Sequence, residues 1–114
     1  MTSPRMQIRL TTTGRITGQA RTVTLYAFDA GDGALVIVGS RGGSARNPAW
    51  AHNLRDEPKA TVKVGQEERS VVAREVSGAE RERLWTLVCE AFPLYATYQK
   101  RTKRLIPLFV LDRA

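Results

Sequence analysis

Four short groups of residues have types and spacings that could do chemistry. Arg15 stands inside Gly14-Arg15-Ile16-Thr17-Gly18 and Arg21 follows shortly after, a cationic pair at a tight chain reversal. Ser40-Arg41-Gly42-Gly43 joins a hydroxyl, a guanidinium and two residues whose backbone adopts conformations closed to other side chains and lets a ligand come close. Asn47-Pro48 reads as a helix start, with Asn as N-cap and Pro at the first helical position. That helix would carry Trp50, Asn53 and Leu54 and stop before Pro58. Tyr95 and Tyr98, three apart, would share one helix face beside Lys100, Arg101, Lys103 and Arg104.

Glycine loop, arginines and helix N-terminus together suit an anion, because free amide groups and the helix dipole both favour negative charge. The same spacing also suits a plain strand-to-helix connection with two solvated arginines. The two tyrosines could cover a flat ligand and offer hydroxyl donors, or only pack their segment onto the rest of the chain. The residues alone leave both pairs of readings open.

Other chemistries lack their parts. No catalytic triad is visible, no Gly-Lys-Ser/Thr phosphate loop, and no carboxylate pair in a recognisable motif. Asp29 and Asp32 sit in the turn Asp29-Ala-Gly-Asp-Gly33 and read as turn formers. One Cys and one His exclude an internal disulfide and argue against a dedicated metal site. His52 reads as a surface or half-buried structural residue, and Cys89 and Trp85 as core. If the chain is an enzyme, the hard chemistry must come from an organic cofactor, and a basic, glycine-lined groove suggests a phosphorylated, acidic one.

Charge distribution agrees. The 114 residues carry a net +7, with a pI near 10.3. Residues 1–55 hold seven arginines against two aspartates, whereas residues 56–114 are nearly balanced, with eleven basic and nine acidic groups. The excess therefore travels with the glycine-rich loops. Arginine, 14 of the 18 basic residues, suits forked contact with phosphate or carboxylate. The length fits one domain spanning residues 1–114. Met1 to Arg9 lacks the apolar region of a signal peptide and no apolar run approaches a membrane span, so a cytoplasmic location is expected.

The positioning elements follow from periodicity. Gln7–Thr13 and Ala20–Phe28 alternate and predict a hairpin around the Gly14–Gly18 turn. The apolar run at 35–39 predicts a buried strand, and the segment 48–56 a helix. Ala60–Val64 and Arg69–Val76 predict a second hairpin across Gly65-Gln66. Ser77 to Phe92 predicts a helix with a Ser77/Glu80 capping box and an apolar stripe through Leu84, Leu87, Val88, Ala91 and Phe92. After Pro93 a shorter helix is expected over 94–104, then a last strand at Ile106–Leu111. Six short strands with tight turns can close into a small barrel, mainly β within an α+β class, with helices over its open parts.

In this order, Leu10-Thr-Thr-Thr-Gly-Arg-Ile-Thr-Gly18, Arg21-Thr-Val-Thr-Leu25, Ser40-Arg-Gly-Gly43, Asn47-Pro-Ala-Trp50, Asn53-Leu54, Phe92-Pro-Leu-Tyr-Ala-Thr-Tyr98 and Ile106-Pro107 resemble the deazaflavin-dependent nitroreductase family, which uses coenzyme F420. The resemblance covers Leu10 to Leu111. It implies a six-stranded split β-barrel and binding of F420, whose phosphate and oligoglutamate tail are polyanionic. By that resemblance Arg15, Arg21 and Thr24 belong to the cofactor site. So do Ser40, Arg41, Gly42 and Gly43 around the phosphate and ring, and Asn47, Pro48, Trp50 and Asn53 on the supporting helix. Tyr95, Tyr98 and Ser40 would face the substrate side of the ring as catalytic residues. Ile16 stands where relatives often carry lysine, and Phe92 where the characterised nitroreductase has tyrosine. The implied reaction passes a hydride from reduced F420 to a quinone-like or nitro-aromatic acceptor. Competing readings are an FMN-binding split barrel, an F420 carrier without efficient turnover, and a basic barrel for single-stranded nucleic acid; the low aromatic content disfavours the last. A homodimer and peripheral membrane contact are expected by analogy and from the charge.

Overall fold

The run Leu35 to Val38 is apolar at every position because it is covered on both faces. In the structure, a computed structural model describing residues 5–31 and 33–114, it lies in strand β3 (Ala34–Val38). Leu35 and Ile37 point into one apolar cluster and Val36 and Val38 into another. Five further strands complete a closed barrel: β1 (Met6–Thr13), β2 (Ala20–Gly31), β4 (Lys59–Val64), β5 (Glu67–Glu75) and β6 (Leu108–Arg113). Their order around the barrel is β1-β2-β3-β6-β5-β4, antiparallel throughout, with β1 closing on β4 through Arg9, Leu10 and Thr11. The fold class is therefore the six-stranded α+β barrel that the sequence predicts.

Inside the barrel lie Ile8, Leu10, Leu35, Ile37, Val62, Phe109 and Leu111. Helix α1 (Ala49–Asp56) adds Trp50, Ala51 and Leu54 to this interior, and the Trp50 ring meets Phe109 edge-on at 5.8 Å. Each such large side chain contributes roughly 1.5–3 kcal/mol by leaving water. Outside the barrel, helices α2 (Gly78–Ala91) and α3 (Leu94–Lys100) cover the other faces of β3 and β6 with Leu84, Val88 and Tyr95. Trp85 and Cys89 pack at the margin of this second cluster, half-buried. At the end of β2 the Asp29 carboxylate accepts the Gly31 N–H at 2.8 Å where the register shifts, the role of a turn former; Asp32 lies outside the described residues.

Three local expectations need correction. Pro48, not Asn47, is the cap residue of α1, and no side chain caps that helix. Ser77 occupies the cap of α2, but the expected capping box does not form, because Glu80 turns to the guanidinium of Arg74 at 2.8 Å. The segment after Pro93 stays helical only to Lys100, and the last strand begins at Leu108, after Pro107.

Candidate functional site

A continuous groove runs where the β1–β2 turn, the loop after β3 and the start of α1 converge. One part, of about 600 Å³, is lined by the β1–β2 turn, including Arg15, Ile16 and Arg21, and by Trp50 and Asn53 of α1. The other, of about 730 Å³, is lined by Arg41, Arg46, Asn47, Pro48 and His52. The two share Arg15, Val23, Ala49 and Trp50, and no carboxylate lines either. No side chain caps α1, and its first residues, Ala49 and Trp50, line this groove. Arginines with forked donors, the N-terminal end of a helix and no competing acid make a site for a polyanion.

Two clamps, one buried and one half-buried, set its shape. Asn53, 5% exposed, accepts the backbone N–H of Arg15 at 3.0 Å and donates to the Thr12 hydroxyl at 3.0 Å. It ties the β1–β2 turn to α1. The second clamp is Arg104. Its guanidinium donates to the carbonyls of Ser40 and Ser44 at 2.8 Å, to that of Gly39 at 3.0 Å, and to the side-chain oxygen of Asn47. Arg104 thus braces the whole glycine loop, although burial and the neighbouring Arg41 both press against its charge. Asn47 does not cap α1 because Arg104 holds its amide oxygen. Sequence reading places Arg104 in a cationic cluster beside the tyrosines; no spacing signal links it to a loop about sixty residues earlier in the chain.

Within the loop, Arg41–Gly43 forms one turn of 3₁₀ helix. Arg41 has φ of 44°, the only positive φ among the described non-glycine residues, a strained conformation of the kind that gathers at functional sites. Gly43 packs directly on α3: a Cβ there would lie 2.6 Å from the Tyr98 carbonyl oxygen. Gly42 faces open space. The loop therefore has the arginine groove beside it and the tyrosine helix at its back, with the buried Ser40 between strand and loop.

The tyrosines belong to an aromatic cluster outside the groove lining. Tyr95 is buried, edge-on to Phe28 at 6.0 Å and to Phe92 at 4.8 Å, and Tyr98 is half-buried at 6.4 Å from both Tyr95 and Phe92. Burial pushes the Tyr95 hydroxyl up to about 12, so it stays protonated at neutral pH. The Arg5 guanidinium lies 4.4 Å from the Tyr26 ring centre and 5.3 Å from that of Phe92. Of the residues singled out in the sequence, Arg15, Arg21, Arg41, Asn47, Pro48, Trp50 and Asn53 meet along the groove. Thr24, Ser40, Gly42 and Gly43 line neither part of it: Thr24 is exposed on β2, opposite Arg9 of β1, and the other three belong to the loop beside the groove. Among the described residues no cluster of His, Cys, Asp and Glu suited to a metal is present.

Comparison with known proteins gives this geometry a family. The profile of the F420H(2)-dependent quinone reductase family matches residues 2–113. The chain is 44% identical over 108 residues to an F420H(2)-dependent quinone reductase of Mycobacterium tuberculosis, covering 91% of this chain and 71% of that one. Among solved structures it is similar to an F420-H2 dependent reductase (FDR-A), with a TM-score of 0.85 and 37% identity over 98% of both chains. It is equally similar to a domain-swapped dimer, with a TM-score of 0.85 and 38% identity over 96% of this chain and 81% of the other.

Proposed function

The chain belongs to the F420H(2)-dependent quinone reductase family, and on that premise we propose that it reduces a quinone with reduced coenzyme F420. The observation that carries this reading is the arginine groove, free of carboxylates and continuous with an uncapped helix N-terminus, which fits the phosphate and acidic tail of that cofactor. Arg15 and Arg21 hold the tail region, Arg41 and Arg46 the phosphate region, and the open face of Gly42 lets the cofactor approach the backbone, while Gly43 seats the loop on α3. When bound, reduced F420 supplies the hydride.

This chain's residues supply orientation and a proton. A quinone that accepts a hydride also needs a proton on oxygen, and Tyr98 is the proposed donor, with Ser40 as a hydrogen-bond partner. The half-buried position of Tyr98, whose backbone packs on the glycine loop, supports this choice. Tyr95 holds its proton too firmly to act as a base and serves as a wall of the acceptor site. Phe92 gives that wall no hydroxyl, so quinones rather than nitro-aromatics are the expected acceptors. The assembly expected by analogy is a homodimer, supported by the domain-swapped relative and checked by light scattering. Among the described residues no helix is long and apolar enough to cross a membrane; peripheral contact would rest on the net charge of +7 and is checked by sedimentation with anionic vesicles.

Fluorescence titration with F420 and, in parallel, FMN tests the cofactor. Micromolar or tighter F420 binding, weakened by salt and by Arg21→Ala, is expected. Binding of FMN alone would overturn the reading. Tyr98→Phe and Ser40→Ala should then lower turnover with little change in F420 affinity, and unchanged turnover in both would remove their assigned roles.

A further inference from the structure

His52 has no role in the proposed reaction, yet it lines the larger section of the groove with Arg15, Arg41 and Arg46. It is half-buried on α1, two residues after the buried Trp50, and is the only histidine of the chain. We propose that His52 is an anion contact of the groove and gains a proton when a polyanionic ligand settles against Arg15 and Arg46. The inference rests on the cofactor reading above and adds a residue and a pH dependence to it.

The charges around the imidazole explain why ligand and proton arrive together. Arg15 faces it from the β1–β2 turn and Arg55 from the next turn of α1, while Arg55 is itself tied to Glu75 of β5 at 2.7 Å. Arg41, Arg46 and Arg104 line the same cavity. Asp56, four residues along the helix, is exposed. In the protein by itself, burial first, then Arg15 and Arg55, hold the imidazole below its ordinary range. A phosphate or carboxylate lying among those arginines reverses the sign of the field at the ring. Protonated, the imidazole has two charged N–H donors, each making a stronger hydrogen bond than a neutral one. The arginines stay charged at any pH near neutrality, so they cannot grade binding with pH; His52 can.

Its being the only histidine makes the test direct. The imidazole C–H resonance of the full chain is followed by NMR against pH, alone and with coenzyme F420, and F420 affinity is measured by fluorescence for the native protein and His52→Gln. Three results are expected. The free imidazole titrates below the ordinary histidine value and moves upward with F420 bound. Arg15→Ala raises the free value. From about pH 8 to about pH 6 the affinity advantage of the native protein over His52→Gln grows by about 3- to 10-fold, since one proton allows at most about tenfold per pH unit. Any ionisation of F420 itself persists in the variant and cancels in this ratio. F420 binding with an unmoved His52 titration and a flat ratio would overturn the inference alone. Failure of F420 to bind at any pH would overturn it together with the proposed function.

Discussion

Arg104→Met keeps much of the side chain's length and removes the fork that grips the glycine loop. Four hydrogen bonds are lost, three to backbone carbonyls and one to Asn47. A hydrogen bond to a charged group contributes roughly 1.5–3 kcal/mol. Gly39 is buried, so its carbonyl is left without a partner; the Ser40 carbonyl keeps the Gly43 N–H at 2.8 Å, and Ser44 and Asn47 are only half-buried and regain water. Relief of the half-buried charge, which burial and Arg41 both disfavour, offsets part of the loss. The net destabilisation should be about 3 kcal/mol, a large share of the roughly 5–15 kcal/mol that holds a domain together. Urea unfolding should show the midpoint falling by about 1–2 M with an unchanged slope. Arg104→Lys, which keeps a charge without the fork, should lose about 2 kcal/mol. Both variants should bind F420 more weakly, because the loop that carries Arg41 and Gly43 is no longer held against Asn47. A loss below about 1 kcal/mol in Arg104→Met, with F420 affinity intact, would refute the brace.

Gly43→Ala should cost about 3 kcal/mol, since its φ of 80° is left-handed and its Cβ would strike the Tyr98 carbonyl, whereas Gly42→Ala, with φ of 63° and open space, should cost only about 1–2 kcal/mol; equal thermal shifts for the two would count against close packing of loop on α3. Asn53→Ala removes both bonds of the clamp and leaves the Arg15 N–H without its partner, so chemical denaturation should report a loss of about 2–3 kcal/mol together with weaker F420 binding. Arg74 holds the Glu80 carboxyl below its usual 4.5, so this contribution is fully present above that pH and fades as pH falls through the lowered value. Thermal midpoints between about pH 5 and 3 should therefore decline less steeply in Arg74→Ala than in the native protein; parallel declines would exclude the pair as a source of acid sensitivity.

Much of the barrel was legible in the sequence because the deciding signals are local. Alternation in residues 7–28 and 60–76 marks strands wherever one face is wet, and glycines at 14, 18 and 65 mark the reversals between them. The unbroken run 35–38 marks a strand covered on both sides, although not by what. The arginine excess of the first half, the glycine pair at 42–43 and the tyrosine spacing at 95 and 98 also stand in the sequence. Tertiary structure decided which polar groups find each other. Asn47 and Ser77 have the side chains of helix caps, but a cap forms only if no better partner competes. Arg104 takes the Asn47 oxygen from across the fold and Arg74 of β5 takes Glu80, six residues further on, each with a charged donor that outmatches a neutral backbone amide. The pairings of β1 with β4 and of β3 with β6 likewise join segments far apart in sequence, and neither helical nor strand periodicity encodes partners. Composition and period thus determined the elements and the sign of the charge. Only closure of the barrel brought Arg15, Arg41, Arg46 and His52 to one groove, because a field that binds an anion depends on distances in space rather than along the chain.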